Sequence, residues 1–283
     1  MLPLWVRYYG AQLGEANLIV LDDNSVDGST AGLPCTVLRL PSEPWNHAWA
    51  RTRWTLANGI SRALLACYDV VMFSDVDEFL VPDPDRYGGL VDYLAARRGT
   101  DIIAPLALNV LHDPRSEPPL DPAQPVLNQR SRVKFAPGMC KPLVKAVPAD
   151  WRYAFHGIRA PFAIDPELVM LHLKYYDVDA LQTVAGQRRD NHEQQGRGHP
   201  ESAWPLGPDE LSSRLRRWVD HPDGQEIPEF DASEVDLESI VVDHEKGSEI
   251  PLPAGFFRTM GPQLEAMEDF PLRRLPARFR DAF

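Results

Sequence analysis

An α/β fold, a sheet with helices packed against it, is what this sequence predicts, and three observations lead there. In roughly the first 110 residues, apolar runs of strand length alternate with segments whose apolar residues recur at helical spacing. Two of those runs open directly into clusters of carboxylates, as strands do when their carboxyl ends face a crevice. Of the 283 residues, 44% are hydrophobic, and aromatics extend from Trp5 to Phe283, which rules out sequence-wide disorder.

Leu2, Trp5, Tyr9 and Leu13 share one helical face, and Gly14 is a natural stop, so the chain is expected to begin inside a helix. Residues 17–21 form a short apolar run that ends in Asp22-Asp23-Asn24-Ser25, a buried strand running into a polar loop. Residues 35–40 read as a second strand, closed by Pro41. Leu56, Ile60, Ala63, Leu64 and Cys67 mark one face of a helix between Trp49 and Cys67. Residues 69–74 are a third strand, which runs straight into Asp75 and Asp77. Asp83 followed by Pro84 reads as an N-cap and first helical position, with the helix passing Leu90 and Leu94 to end at Arg97-Arg98-Gly99. Residues 101–110 are a fourth strand.

After about residue 112 the rhythm changes. Pro114, Pro118, Pro119, Pro122 and Pro125 predict an extended loop, followed by strand-like pieces at 130–135, 142–147, 153–158 and 167–175. Helical patterns return near Asp179 and over 209–219. No internal repeat is visible. The division expected is a core over residues 1–178 and a C-terminal helical extension over 179–283.

Charge is distributed unevenly. The formal net charge is −12, a poor basis for binding nucleic acid non-specifically. Residues 1–100 carry 12 acids against 8 Lys and Arg, residues 101–200 carry 11 against 12, and the remainder 18 against 9. Within 220–249 eleven acids face only Lys246, which predicts a solvated surface segment outside the core. No apolar window is long enough to span a membrane, and the first ten residues lack the pattern of a signal peptide. Three cysteines, Cys35, Cys67 and Cys140, are too few and too widely spaced for a disulfide framework or a CxxC metal site. They read as reduced, buried thiols of a cytoplasmic protein, in solution or peripheral to the inner face of the membrane.

Ser74-Asp75-Val76-Asp77-Glu78-Phe79-Leu80 is the sharpest chemical feature. Two carboxylates at i and i+2 on a turning chain can reach one hard divalent cation, which prefers oxygen ligands and shares them with phosphates. An isolated Asp-x-Asp is also a common acidic turn. Asp22-Asp23-Asn24-Ser25-Val26-Asp27-Gly28-Ser29-Thr30 follows a strand as well, and its carboxylates could accept from a nucleotide base or ribose.

In that order and at that spacing, the two segments resemble the nucleotide-sugar-binding half of GT-A fold glycosyltransferases of the family 2 type, which carry a DDxSxDGT loop and then a DxD. The DVDEF branch, in which the second motif continues into Glu-Phe, is the form seen in this sequence. The resemblance covers roughly residues 1–177. It implies a Rossmann-like mixed sheet with flanking helices, a nucleotide-diphosphate sugar as donor, a carbohydrate or other hydroxyl acceptor, and a role of the kind found in polysaccharide biosynthesis. It implies that Asp23, with Asp22, contacts base and ribose, and that Asp75 and Asp77 hold Mn²⁺ or Mg²⁺ against the donor diphosphate. Arg51 stands where relatives often place a basic residue near the phosphates, and Asn58 lies seven residues on. A divalent ion suits the chemistry, since charge develops on the departing diphosphate.

A third metal ligand, commonly a His, is expected further along, and His156 and His172 are the candidates; His172, with Tyr175 behind it, matches the DVDEF relatives better. The run Arg130, Arg132, Lys134, Lys141, Lys145, Arg152 and Arg159 is a basic stretch for an acidic acceptor or for the donor phosphates, or a solvated sheet face. An inverting transfer needs a carboxylate base. Asp150, Asp165, Glu167 and Asp177 lie in the acceptor half, and chain order alone favours Asp150. Family members begin with a strand before the first helix; here Met1 falls within that helix, so the core is expected to lack its first strand. Two other readings use the same residues: a sugar nucleotidyltransferase or phosphohydrolase, and a non-catalytic nucleotide-sugar-binding relative.

Overall fold

The computed structural model describes residues 1–40, 49–152, 155–195, 205–222, 225–243, 257–259 and 270–283. The first helix, α1 (Leu2–Leu13), buries Val6, Tyr8 and Tyr9, and ends at Gly14, whose N–H returns to the Gly10 carbonyl at 2.9 Å. Gly14 has φ 85°, a left-handed conformation that a side chain would strain. Strands β1 (Ile19–Asp22) and β2 (Thr36–Arg39) follow, then helix α2 (Trp49–Leu64), β3 (Val71–Met72) and β4 (Glu78–Pro82). Helix α3 (Leu90–Ala96) precedes the long strand β5 (Ile102–Leu111), all ten of whose residues are buried. The one-turn helix α4 (Val126–Gln129), β6 (Arg132–Phe135), β7 (Val144–Lys145), β8 (Trp151–Arg152), β9 (Gly157–Ile158) and β10 (Ala163–Tyr175) complete the part that positions the site. Beyond lie helices α5 (Val178–Gln195) and α6 (Pro208–Trp218), and strands β11 (Val241–Asp243), β12 (Phe257–Thr259) and β13 (Arg273–Arg274).

The molecule is mixed α/β, with six α-helices among the described residues and three sheets. The central sheet has the order β13-β6-β5-β10-β4, with β7 pairing β5 and β3 pairing β7. A wholly parallel first half does not occur. β1 and β2 are parallel but form a sheet of their own, and in the central sheet β5 and β10 are the parallel pair. The others are antiparallel, as follows where neighbours are joined without a long crossover helix: between β5 and β6 lies the proline loop with its single turn of helix.

Three local expectations change. The segment after Asp77 is a strand: Glu78, Phe79, Leu80, Val81 and Pro82 are all buried, and β4 pairs antiparallel with β10. The third strand itself shortens to two residues. Asp83 does not cap a helix; α3 starts after Gly89, where a Cβ would stand 2.7 Å from Gln12 Oε1, the atom that accepts from the Leu90 N–H at 2.8 Å. Close approach of α1 and α3 sets that boundary.

Strands from beyond residue 178 pair with earlier ones in two sheets, β13 with β6 and β12 with β9. Phe283 stacks on Phe79 at 4.4 Å between centroids. Helices α5 and α6 bury Leu181, Ala185, Leu211, Leu215 and Trp218 against Leu111 and Tyr175, at the ends of β5 and β10. The described part of the acidic segment is less detached than its charge suggests. Its acids do face solvent, but Ile240 is buried, Phe230, Val235 and Leu237 pack on the core, and Glu234 pairs with Arg273. Apolar residues alternate with the acids there, so one side of the segment has something to bury. The three cysteines are free, with Cys140 buried, Cys35 half-buried and Cys67, just past the end of α2, exposed. No helix among the described residues is long and apolar enough to cross a membrane.

Candidate functional site

The Asp75–Asp77 turn is fastened on three sides. Glu78 N–H donates to the Asp75 carbonyl at 3.0 Å and Asp75 N–H donates to Glu78 Oε2 at 3.1 Å, which closes the turn on itself. From α1, the Trp5 indole donates to Ser74 Oγ at 2.9 Å, while the Tyr9 hydroxyl donates to the Glu78 carbonyl and accepts from Leu80 N–H, both at 2.9 Å. From β10, Leu173 N–H donates to the Asp77 carbonyl at 2.8 Å. Val76, between the two acids, points outward and is 45% exposed.

Beside the turn a row of polar residues crosses the central sheet. Strand register places Glu78 opposite His172, His172 opposite Asn109, and Asn109 opposite Lys134. All four are buried, whereas the adjacent row of Phe79, Leu171, Leu108 and Phe135 is wholly apolar. Buried polar groups need partners. Glu78 receives the Lys141 ammonium at 2.6 Å, and His172 Nδ1 donates to Asn109 Oδ1 at 2.6 Å. That bond fixes the imidazole orientation and turns Nε2 toward Asp77 Oδ2, 3.6 Å away. A proton held on Nε2, or a cation shared in its place, satisfies the pair.

Four cations surround these acids. Arg53 of α2 pairs with Asp75 and lies over the Phe155 ring, and Lys141 stands 3.7 Å from Asp75. Burial tends to raise the Asp75 carboxyl, but Arg53 and Lys141 prevail and hold it below its usual value. For Asp77 burial is likewise overcome, by His172, Arg188 and Lys141, and the carboxyl lies well below the usual range. Burial pushes Glu78 up against the opposing pull of Lys141. Burial lowers Lys141, and Glu78 and Asp75 more than restore it. Lys174 is pushed down to about 7 by burial and by Arg188 and Lys141. His156 donates from Nδ1 to the Gly138 carbonyl at 2.6 Å, and burial with Lys141 pushes it down to about 3, so it is neutral at physiological pH.

Among the described residues no three His, Cys, Asp or Glu side chains form a ready metal-binding group. Asp77 and His172 are the two predicted ligands that the fold brings side by side; the Asp75 carboxylate faces Arg53 and Lys141. Hard carboxylate oxygen with an Asn-oriented imidazole suits Mn²⁺, and Asp77 with His172 fits the group as a partial donor set that phosphate oxygens would complete. Comparison with protein-family models, curated proteins and solved structures found no match.

Several predicted residues have other work. Asp22 is buried and accepts from Ser25 N–H at 2.8 Å and Thr30 Oγ at 3.2 Å, so it shapes the 22–30 loop, and Asp23 is the more accessible of the pair. Arg51 lies in α2, with its side chain outside the described residues. Asn58 is buried and holds the Trp151 backbone through two bonds of 2.9 Å. Asp150 pairs with Arg62 of α2 at 2.7 Å. Asp165 and Glu167 pair with Arg97, and Asp177 caps α5 by accepting from Ala180 N–H at 2.8 Å. The basic run is not one patch: Arg130 is buried on three carbonyls, Arg132 pairs with Asp113 and Glu117, and Lys145 donates to Ala149 O while lying 3.7 Å from the Trp151 ring centroid. Lys141 is its member at the acidic turn.

Arg53, Glu78, Asn109 and Lys174 were not singled out from sequence. A signal existed for Glu78 and Asn109. Each is a polar residue on an otherwise apolar strand, in Glu-Phe-Leu-Val-Pro and in Ile-Ile-Ala-Pro-Leu-Ala-Leu-Asn-Val-Leu.

Proposed function

We propose that the chain is a metal-dependent glycosyltransferase of the GT-A type, working in the cytoplasm, that moves a sugar from a nucleotide-diphosphate donor to a hydroxyl acceptor with inversion. The observation that carries this reading is the juxtaposition of Asp77 Oδ2 and His172 Nε2, at 3.6 Å, beside the turn that bears the DVDEF sequence. Mn²⁺ or Mg²⁺, when bound by Asp77 and His172, would supply electrostatic stabilisation to a departing diphosphate. Asn109 orients His172, and Arg53 and Lys141 hold Asp75 and Glu78 in place behind the turn. Asp23, on the loop that Asp22 shapes, is the residue offered to base and ribose.

Calorimetry of the full chain with UDP, GDP, ADP and CDP, with and without Mn²⁺, tests the reading. Metal-dependent binding of at least one, abolished by Asp77→Asn, is expected, and the matching sugar donor should release free nucleoside diphosphate. If none binds and Asp77→Asn changes nothing, the reading is wrong.

A further inference from the structure

The small sheet, of order β11-β12-β9-β8, has two unlike faces. Register places Trp151 opposite Ile158 and Ile158 opposite Phe257, and this row faces the core, with Trp151 and Ile158 buried. The alternate row is Arg152, Gly157 and Arg258, whose side chains leave the sheet on its other face. Gly157 has no side chain, so a notch separates the two arginines. Arg159, two residues on from Gly157, continues that face: its N–H donates to the Asp150 carbonyl at 3.0 Å, which extends the pairing of β8 with β9. Arg159 is thus the diagonal neighbour of Arg152, roughly 7–8 Å away across the pair, within the reach of two long side chains.

Arg258 has a partner of its own. The guanidinium groups of Arg152 and Arg159 make no hydrogen bond or ion pair among the described residues, and Asp150, the acid across from Arg159, is taken by Arg62 at 2.7 Å. Arg159 is exposed, and water serves it. Arg152 is half-buried, and its Nε is shut off from solvent with no acceptor. Such a donor is costly, and an arginine cannot escape the cost by losing its proton. Two bonds of 2.9 Å between Asn58 and the Trp151 backbone hold β8 in place next to it. An anion that serves both arginines needs acceptor oxygens for two forks. One guanidinium occupies both oxygens of a carboxylate, whereas a phosphate monoester has three terminal oxygens and a second charge.

We propose that Arg152 and Arg159, at the Gly157 notch on the outer face of this sheet, seat a phosphate monoester. On the glycosyltransferase reading the monoester belongs to the acceptor, and that assignment rests on the reading; the seat itself does not.

Calorimetric titration of the full chain with glucose 6-phosphate, in EDTA-containing buffer, isolates the seat from any metal. Wild-type protein should bind, and Arg152→Gln and Arg159→Gln should each weaken binding by roughly tenfold or more, the loss of one charge-assisted hydrogen bond. Glucuronate, a sugar with a carboxylate in place of the phosphate, should bind at least tenfold more weakly than glucose 6-phosphate. Arg189→Gln, in α5 where Arg189 pairs with Glu193, is the control and should bind as wild type. Arg159 is exposed, so Arg159→Gln carries the test should Arg152→Gln not fold. No binding by wild type, binding as wild type by either folded variant, or glucuronate as tight as glucose 6-phosphate overturns the proposal. If binding depends on both arginines but no nucleoside diphosphate binds with Mn²⁺, the seat stands and the glycosyltransferase reading falls. If nucleotides bind through Asp77 and the arginine variants are indifferent, the reverse holds.

Discussion

Replacing Lys141 by Met cuts the central charge pair of the site. Lys141 Nζ lies 2.6 Å from Glu78 Oε1, with side chains 5% and 1% exposed. At that distance, with an effective dielectric constant of about 20, the Coulomb attraction is about 6 kcal/mol. Lys141→Met forfeits it, but Glu78 can then take up a proton, which limits the net cost to about 3–5 kcal/mol. For a chain of this size that lowers the melting temperature by on the order of 10 °C. Because burial already holds the Glu78 pKa above its unfolded value, losing Lys141 raises it further. A group with a raised folded pKa contributes stability that is complete below the unfolded pKa and lost as pH rises through the folded one. The deficit of Lys141→Met should therefore narrow between pH 8 and pH 5. The double variant Lys141→Met/Glu78→Gln, which leaves no buried charge unpaired, should recover half the loss or more. Thermal and urea melts of all three proteins over that pH range decide the matter. A single variant within about 1 kcal/mol of wild type, or a double variant less stable than the single, would refute the pairing and its energetics.

Other perturbations follow from the same contacts. Asn58→Ala leaves the buried Trp151 N–H and C=O without partners and should cost about 2–4 kcal/mol in urea denaturation, whereas a cost below about 1 kcal/mol would show that water replaces the amide. For Asp165, burial raises the carboxyl but Arg97, the Glu167 N–H and Tyr93 hold it below its unfolded value near 4, so its contribution is present above that pH and lost as pH falls through the folded pKa. Urea midpoints should drop below pH 4 in the wild type and less steeply in Asp165→Asn; parallel curves would contradict this. Burial pushes the Cys140 thiol up to about 12. An aromatic disulfide reagent should label exposed Cys67 in native protein and reach Cys140 only after unfolding, as mass spectrometry of the labelled peptides would report.

Much of the fold was legible in local pattern. Helix α1, strands β1 and β5 and helix α6 lie close to where periodicity and caps put them, because each is an amphipathic or continuously apolar segment of ordinary length. The stretch after Asp77 misled, since Glu78 at its head reads as the end of an acidic loop; in the structure Lys141 neutralises that charge and Glu78 opens a buried strand. The basic run misled in the opposite sense. Its members share a stretch of chain but point to different partners, so a count of charges could not say that Lys141 pairs with the turn while Arg130 ties down the proline loop. The pairings of Asn58 with Trp151, Asp150 with Arg62 and Asp165 with Arg97 join residues far apart in sequence, and no local pattern announces them.

From the sequence alone came the α/β class, the order of most elements, and the placement of two carboxylates at the end of an apolar strand. Burial along an element leaves a periodic trace in composition, and a turn announces itself through Gly, Pro and Asp. Only the tertiary structure decided that Glu78, His172, Asn109 and Lys134 form one row across four strands, that Asn109 sets the face His172 shows to Asp77, and that a bulge in β10 follows directly after His172. The reason is physical: which strands become neighbours, and in which register, is settled by packing between segments far apart in the chain, such as Glu78 and His172, 94 residues apart, and that pairing leaves no periodic trace in either segment.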